Sequence, residues 1–103
     1  MLRRETKEYT LYGVPVIAPD GAESVRAIGT VRALVTSRSS EETMEDDVYR
    51  ATETVSAILR DRCAPDGGFR RGMTLRRGEE EYRMLTPVRA GRMWIVKCAR
   101  THL

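Results

Sequence analysis

Short blocks of alternating apolar and polar residues, closed by turn residues, run along most of this chain. The closures are Pro19-Asp20-Gly21, Pro65-Asp66-Gly67-Gly68, Arg77-Gly78-Glu79 and Ala90-Gly91. Glycine supplies the positive φ that tight reversals need, and Pro-Asp sets the geometry leading into them. Residues 8–19 read as a strand in which Pro15, with no amide hydrogen to donate, marks an edge or a bend. Residues 27–36 read as a second strand, with Val31, Ala33 and Val35 on one side and Ile28 and Leu34 on the other. Residues 72–78 and 81–85 look like two short strands joined by a tight turn. Residues 92–100 form a last strand, Trp94, Val96 and Cys98 facing one way and Met93 and Ile95 the other. Apolar residues on both sides predict a strand covered on both faces. Several short strands with Gly/Pro turns predict a mainly β fold, a small barrel or sandwich.

The middle of the chain admits two readings. Residues 39–62 fit a helix: Ser39 and Glu42 form a capping box, and Met44, Val48, Ala51, Val55, Ile58 and Leu59 share one stripe. In the rival reading residues 37–47 are a polar acidic loop and residues 51–62 a strand, with Ala51, Val55, Ala57 and Leu59 inward. Periodicity favours the helix; Thr52, Thr54 and Val55 favour the strand on propensity.

At 103 residues the chain supports one domain, residues 1–103, with a modest core that buries roughly 65% of its unfolded surface. A separate cofactor domain is excluded. The longest apolar runs fall far short of the roughly 20 residues that cross a bilayer, and no signal peptide is visible, so no membrane partner is expected. The formal net charge of +3 is unevenly placed. Residues 1–59 carry seven bases and ten acids, residues 60–103 eleven bases and five acids. One acidic and one basic region suit either a polyanion or neighbouring copies of the same chain.

Cys63 and Cys98 make no paired-cysteine motif, and His102 is penultimate, so neither a metal centre nor a nucleophile–base pair is predicted. Glu41, Glu42, Glu45, Asp46 and Asp47 are hard-cation ligands by type, yet they lack the EF-hand spacing and its central glycine. No metal, no cofactor and no enzymatic activity are therefore expected. Phe69, Tyr82 and Trp94 are read as core residues rather than as stacking platforms, because the chain has only six aromatics with which to fill a core.

The segment Ala51-Thr52-Glu53-Thr54-Val55-Ser56-Ala57-Ile58-Leu59-Arg60-Asp61-Arg62 is followed by Phe69-Arg70-Arg71-Gly72-Met73-Thr74-Leu75. Then come Arg77-Gly78-Glu79-Glu80-Glu81-Tyr82-Arg83-Met84-Leu85 and Trp94-Ile95-Val96-Lys97-Cys98-Ala99-Arg100. This order resembles the head–tail joining proteins of long-tailed bacteriophages, also called stoppers, head-closure or head-completion proteins. The earlier Ile28-Gly29-Thr30-Val31-Arg32-Ala33-Leu34-Val35 sits where that family has its second long strand. The resemblance implies a small β-barrel or sandwich in which residues 51–62 are mainly strand. It makes residues 37–47 a long acidic excursion, a loop or short helix between strands. It further implies a homo-oligomeric ring, six- or twelve-fold, in the neck of a virion assembled in the host cytoplasm. The ring would contact a portal or adaptor protein on one side and a tail terminator or tail tube protein on the other. DNA would pass along its axis without sequence-specific reading.

On that view the intersubunit or channel-facing residues are Glu41, Glu42, Glu45, Asp46 and Asp47 on the acidic side, and Arg70, Arg71, Arg76 and Arg77 on the basic side. Opposite charges on separate surfaces suit a head-to-tail ring. The alternatives are a nucleic-acid-binding small β-barrel that uses its basic last third, or a tail-terminator or other neck protein of the same assembly.

Overall fold

The computed structural model describes the backbone of residues 6–45 and 48–101 and the side chains of residues 6–36 and 54–100. The strands are β1 (Lys7–Tyr12), β2 (Val16–Ile17), β3 (Glu23–Ser24), β4 (Ala27–Glu45), β5 (Val48–Arg60), β6 (Thr74–Arg77), β7 (Glu80–Ala90) and β8 (Met93–Thr101), with a 3-10 turn at Asp61–Cys63. β1, β4, β5, β8, β7 and β6 hydrogen-bond in that order, and β6 returns to β1 to close an antiparallel barrel. β2 and β3 form a separate two-stranded ribbon. The mainly β fold expected from the alternation is therefore a barrel and not a sandwich. Among the described residues no helix is long and apolar enough to cross a membrane.

Period-two alternation fills the interior. Tyr9 and Leu11 of β1, Val31 and Ala33 of β4, and Val55, Ala57 and Leu59 of β5 are buried. Leu75 of β6, Tyr82 and Met84 of β7, and Val96 and Cys98 of β8 complete the lining. A six-stranded barrel is narrow, and with alanine at two of these wall positions Leu11, Leu59, Leu75 and Met84 share one buried core. Phe69 and Met73, from the segment between β5 and β6, join the same core. Phe69 and Tyr82 are thus core residues, as expected, and Trp94 packs half-buried against the core.

Two expectations are corrected. Residues 37–45 are neither loop nor helix: β4 runs through them to Glu45 and pairs with β5 from Glu45↔Val48 back to Ala33↔Leu59. β4 and β5 thus continue beyond the barrel wall as a two-stranded arm. The helical stripe from Met44 to Leu59 is a coincidence of spacing, overridden by Thr52, Thr54 and Val55, which suit a pleated ladder. β8 is also not covered on both faces, because a single closed sheet has only one packed side. Met93 and Ile95 lie on its outer face, exposed.

Register shifts set which residues face outward. β7 slips between Met84 and Thr86, so Met84 pairs with Cys98 but Thr86 pairs with Lys97. The extra residue reverses the alternation: after buried Tyr82 and Met84, Thr86 and Val88 emerge on the outside. Pro87 is accommodated because it lies beyond the last β6–β7 pair, where the second side of β7 needs no donor.

Burial pushes the Cys98 thiol up from 9.0 to about 12. Burial also pushes the Tyr9 phenol from 10.0 to about 12, with Tyr82 and Glu80 adding to the rise and Arg77 opposing it. Both groups ionise more readily in the unfolded chain. Their contribution to stability is therefore complete below about pH 9 and is lost as pH rises from there toward 12. The expected result is a urea midpoint that falls above about pH 9, and a thiol reagent that titrates half-buried Cys63 alone in the native protein but both cysteines after denaturation.

Candidate functional site

Strand directions sort the connections onto two ends of the barrel. The β4–β5 arm, the β6–β7 turn and the last residues of β8 leave by one end, since Glu81 pairs with Thr101 and Thr54 with Ala99. The β2–β3 ribbon, the 61–73 segment and the β7–β8 turn leave by the other, where Tyr12 pairs with both Ala27 and Thr74 and Arg60 pairs with Met93. Two chemically different ends result.

The arm carries the acids singled out in the sequence. Glu41 stands opposite Thr52, Glu42 opposite Ala51 and Glu45 opposite Val48, while Asp46 and Asp47 lie outside the described residues. Residues 39–53 hold six acids and one base, Arg50. So acidic a sequence favours a basic surface over phosphate.

The four candidate arginines are not brought together. Arg76 and Arg77 lie on β6 near the arm end, in register with Glu81 and Glu80 of the adjacent strand. Cross-strand opposition of this kind offsets charge within the hairpin. Arg70 and Arg71 lie at the opposite end, exposed, in the segment that leads into β6. Arg70 is held in a tight reversal: its amide donates to the Met73 sulfur at 3.3 Å and its carbonyl accepts from the Met73 amide at 3.2 Å. Arg60, Arg62 and Arg92 border a hollow with Asp61 and Met93 at this same end. Arg60, Arg62, Arg70, Arg71 and Arg92 thus gather at this end.

No family model and no curated protein matches the chain. Chains of solved structures do match. A chain described as "Virion of native gene transfer agent (GTA) particle" superposes with a TM-score of 0.63 over 98% of each chain, at 23% identity. That likeness establishes the fold across its whole length.

The basic end is made rigid by contacts that strand patterning could not have disclosed. Asp61 closes β5 onto the β7–β8 turn: its amide donates to the Arg92 carbonyl at 2.8 Å. Its carboxylate accepts from Trp94 Nε1 at 2.8 Å through one oxygen and from Arg89 Nη2 at 2.8 Å through the other. Trp94 then meets Phe69 edge-on, centroids 5.4 Å apart, so the 61–73 segment is pinned as a plug over the barrel end. Gly68 makes the closure possible. Its φ is +83°, and a Cβ there would come within 2.7 Å of the Trp94 ring. The only advance sign was the Pro-Asp-Gly-Gly sequence, which predicts a turn but not its partner.

The Asp61 contacts should differ in worth. Replacing Asp61 by Ala strands the half-buried indole N–H and should cost about 1–3 kcal/mol, whereas Arg89→Ala removes an exposed ion pair worth about 0–1 kcal/mol. Denaturant unfolding followed by the single Trp94 reads both. Gly68→Ala should be more damaging than Gly78→Ala, because Gly78 has positive φ but nothing within 4 Å of an added Cβ. Equal losses at the two glycines would show that the ring contact contributes nothing.

Proposed function

We propose that the protein is a virion structural subunit that joins a phage-type head to its tail, one copy in a ring around the DNA channel. The observation that carries this reading is the full-length likeness to a chain of a gene transfer agent virion, at 98% coverage in both directions. The order of motifs resembling head–tail joining proteins points the same way.

The barrel interior is filled by side chains, so DNA would pass through the opening of a ring and not through a subunit. Each subunit would act as a rigid block with chemically distinct ends. The acidic arm, with Glu41, Glu42, Glu45, Asp46 and Asp47, would either reach a basic surface of a neighbour or portal-side partner, or line the channel and keep DNA sliding by repulsion. Arg70 and Arg71, with Arg60, Arg62 and Arg92, would supply basic contacts to the adjoining layer, and Arg76 and Arg77 would act beside the arm. Such a role is mechanical and electrostatic and requires no catalytic group. The alternative of a free nucleic-acid-binding barrel is less well supported, because Arg76 and Arg77 stand opposite acids and the arginines divide between two ends.

The test is genetic and structural. In a cell that produces the particle, removing the gene should leave heads and tails unjoined in electron micrographs, and a tagged copy should co-purify with complete particles. Complete particles formed without the protein would overturn the reading. The alternative is separated by a salt titration: a free nucleic-acid binder loses affinity steeply with salt, whereas the isolated subunit should bind duplex DNA weakly at every salt concentration.

A further inference from the structure

Two exposed apolar surfaces remain outside the core. The first is a row across four strands. Leu34 of β4 pairs with Ile58 of β5, Ile58 with Ile95 of β8, and Ile95 with Val88 of β7. All four lie on the outer face; Ile95 is 48% and Val88 53% exposed. The neighbouring row adds Arg60 paired with Met93, and Arg32 lies beside it on β4, both arginines exposed. Arg32, Arg60 and Arg62 share a surface hollow with Leu34, Ile58 and Met93, and Glu8, in register with Arg32, also lines it, so the border is basic on balance.

The second is the β2–β3 ribbon. Val16 is 64% and Ile17 72% exposed, and Val14, Val25 and Ile28 around its root are also open. Its ladder pairs Val16 with Ser24 and Ile17 with Glu23, and the turn adds the Ala18 amide donating to the Ala22 carbonyl at 2.8 Å and the Ala22 amide donating to one Asp20 carboxylate oxygen at 3.0 Å. A two-stranded ribbon this short is marginal by itself and gains stability by burying its side chains. Its polar residues near the tip are acidic, Asp20 and Glu23.

The strand order fixes where these surfaces stand. The ribbon leaves from β1, and Val14 lies against Gly72 just before β6, so it rises over the β1–β6 wall. In a closed ring of six strands, the wall opposite β1–β6 is β5–β8, the centre of the apolar row. Each copy thus presents on one wall an apolar ribbon with acidic residues, of which Glu23 shares a hollow with Arg76 and Arg83 of the same copy. On the other it presents a broad apolar row bordered by arginines. Two different and complementary patches on opposed walls are the requirement for a heterologous, head-to-tail contact that can close into a ring.

We infer that the β2–β3 ribbon of one copy docks on the outer row Leu34–Ile58–Ile95–Val88 of a second copy, with Asp20 and Glu23 directed toward Arg32 and Arg60. The inference rests on the ring reading for its closure, and it names the lateral contact which that reading leaves open.

The test uses cysteines at exposed positions in a Cys63→Ser background. Ile17→Cys and Ile95→Cys proteins, each confirmed folded by Trp94 fluorescence, are mixed and oxidised. A disulfide-linked dimer of one copy of each should form roughly tenfold or more faster than with an Ile17→Cys and Gly78→Cys pair. The double variant carrying both cysteines should give a ladder of linked oligomers, and adding Val16→Asp should abolish it. The same double variant is then oxidised within purified particles. Linkage no faster than the control in solution, together with no ladder in particles that do contain the protein, overturns the docking while leaving the virion role standing. A ladder from a protein that never enters particles supports the docking and overturns the virion role.

Discussion

Everything in this molecule depends on the seam between β1 and β6. It is one of the short ladders of the barrel, formed by Thr10↔Arg76, Leu11↔Leu75 and Tyr12↔Thr74. Without it the sheet is an open curl with two edges, and exposed edges invite pairing with other chains. Leu11 and Leu75, paired across the seam, are essentially inaccessible to solvent, so closing the sheet and filling its centre are one event. Closure also defines an inside and an outside, two ends, and pairs of opposed walls. Each surface feature acquires its meaning from that geometry.

The strands were legible in the sequence wherever alternation was uninterrupted. Val31 and Ala33, and likewise Val96 and Cys98, were readable as sharing a side because period two holds through their segments, and those sides are the buried ones. The register slip in β7 was not legible. Counting forward from Tyr82 and Met84 sends Thr86 and Val88 to the inside, and only the added residue between Met84 and Thr86 sends them out. The acidic stretch was misread for another reason. Glu41, Glu42 and Glu45 have poor intrinsic strand preference, and what holds them in β4 is the ladder to Thr52, Ala51 and Val48, a partner choice local propensity does not contain. Of the candidate site residues, the chemistry was readable and the grouping was not. Arg70, Arg71, Arg76 and Arg77 look contiguous along the chain, yet one strand separates the pairs to opposite ends.

That separation changes the meaning of the charge asymmetry. Along the sequence it is an acidic first part and a basic last part; in space it becomes an acidic arm at one end and an arginine-rich rim at the other. The rim is not a loose charged fringe. Asp61 holds it through Trp94, Arg89 and the Arg92 backbone, and Phe69 anchors it in the core. A fixed backbone presents its charges from set positions, so less ordering entropy is lost when a contact forms.

The interior of this barrel is occupied by Leu11, Leu59, Leu75, Met84, Val96 and Cys98, so chemistry and recognition fall to the outside. Departures from ordinary surface patterning are therefore the informative positions, and they are organised. A lone exposed valine means little. A row of four apolar residues in register across four strands, one of them brought outward by a bulge, is a different matter. Such a row raises the tendency to associate indiscriminately unless a specific partner covers it. The arginines on its border and the acids on the ribbon restrict which partner can approach, since a basic rim disfavours a second basic rim and so disfavours face-to-face pairing of two rows. The same charges therefore bias association away from a closed symmetric pair and toward an ordered succession of copies.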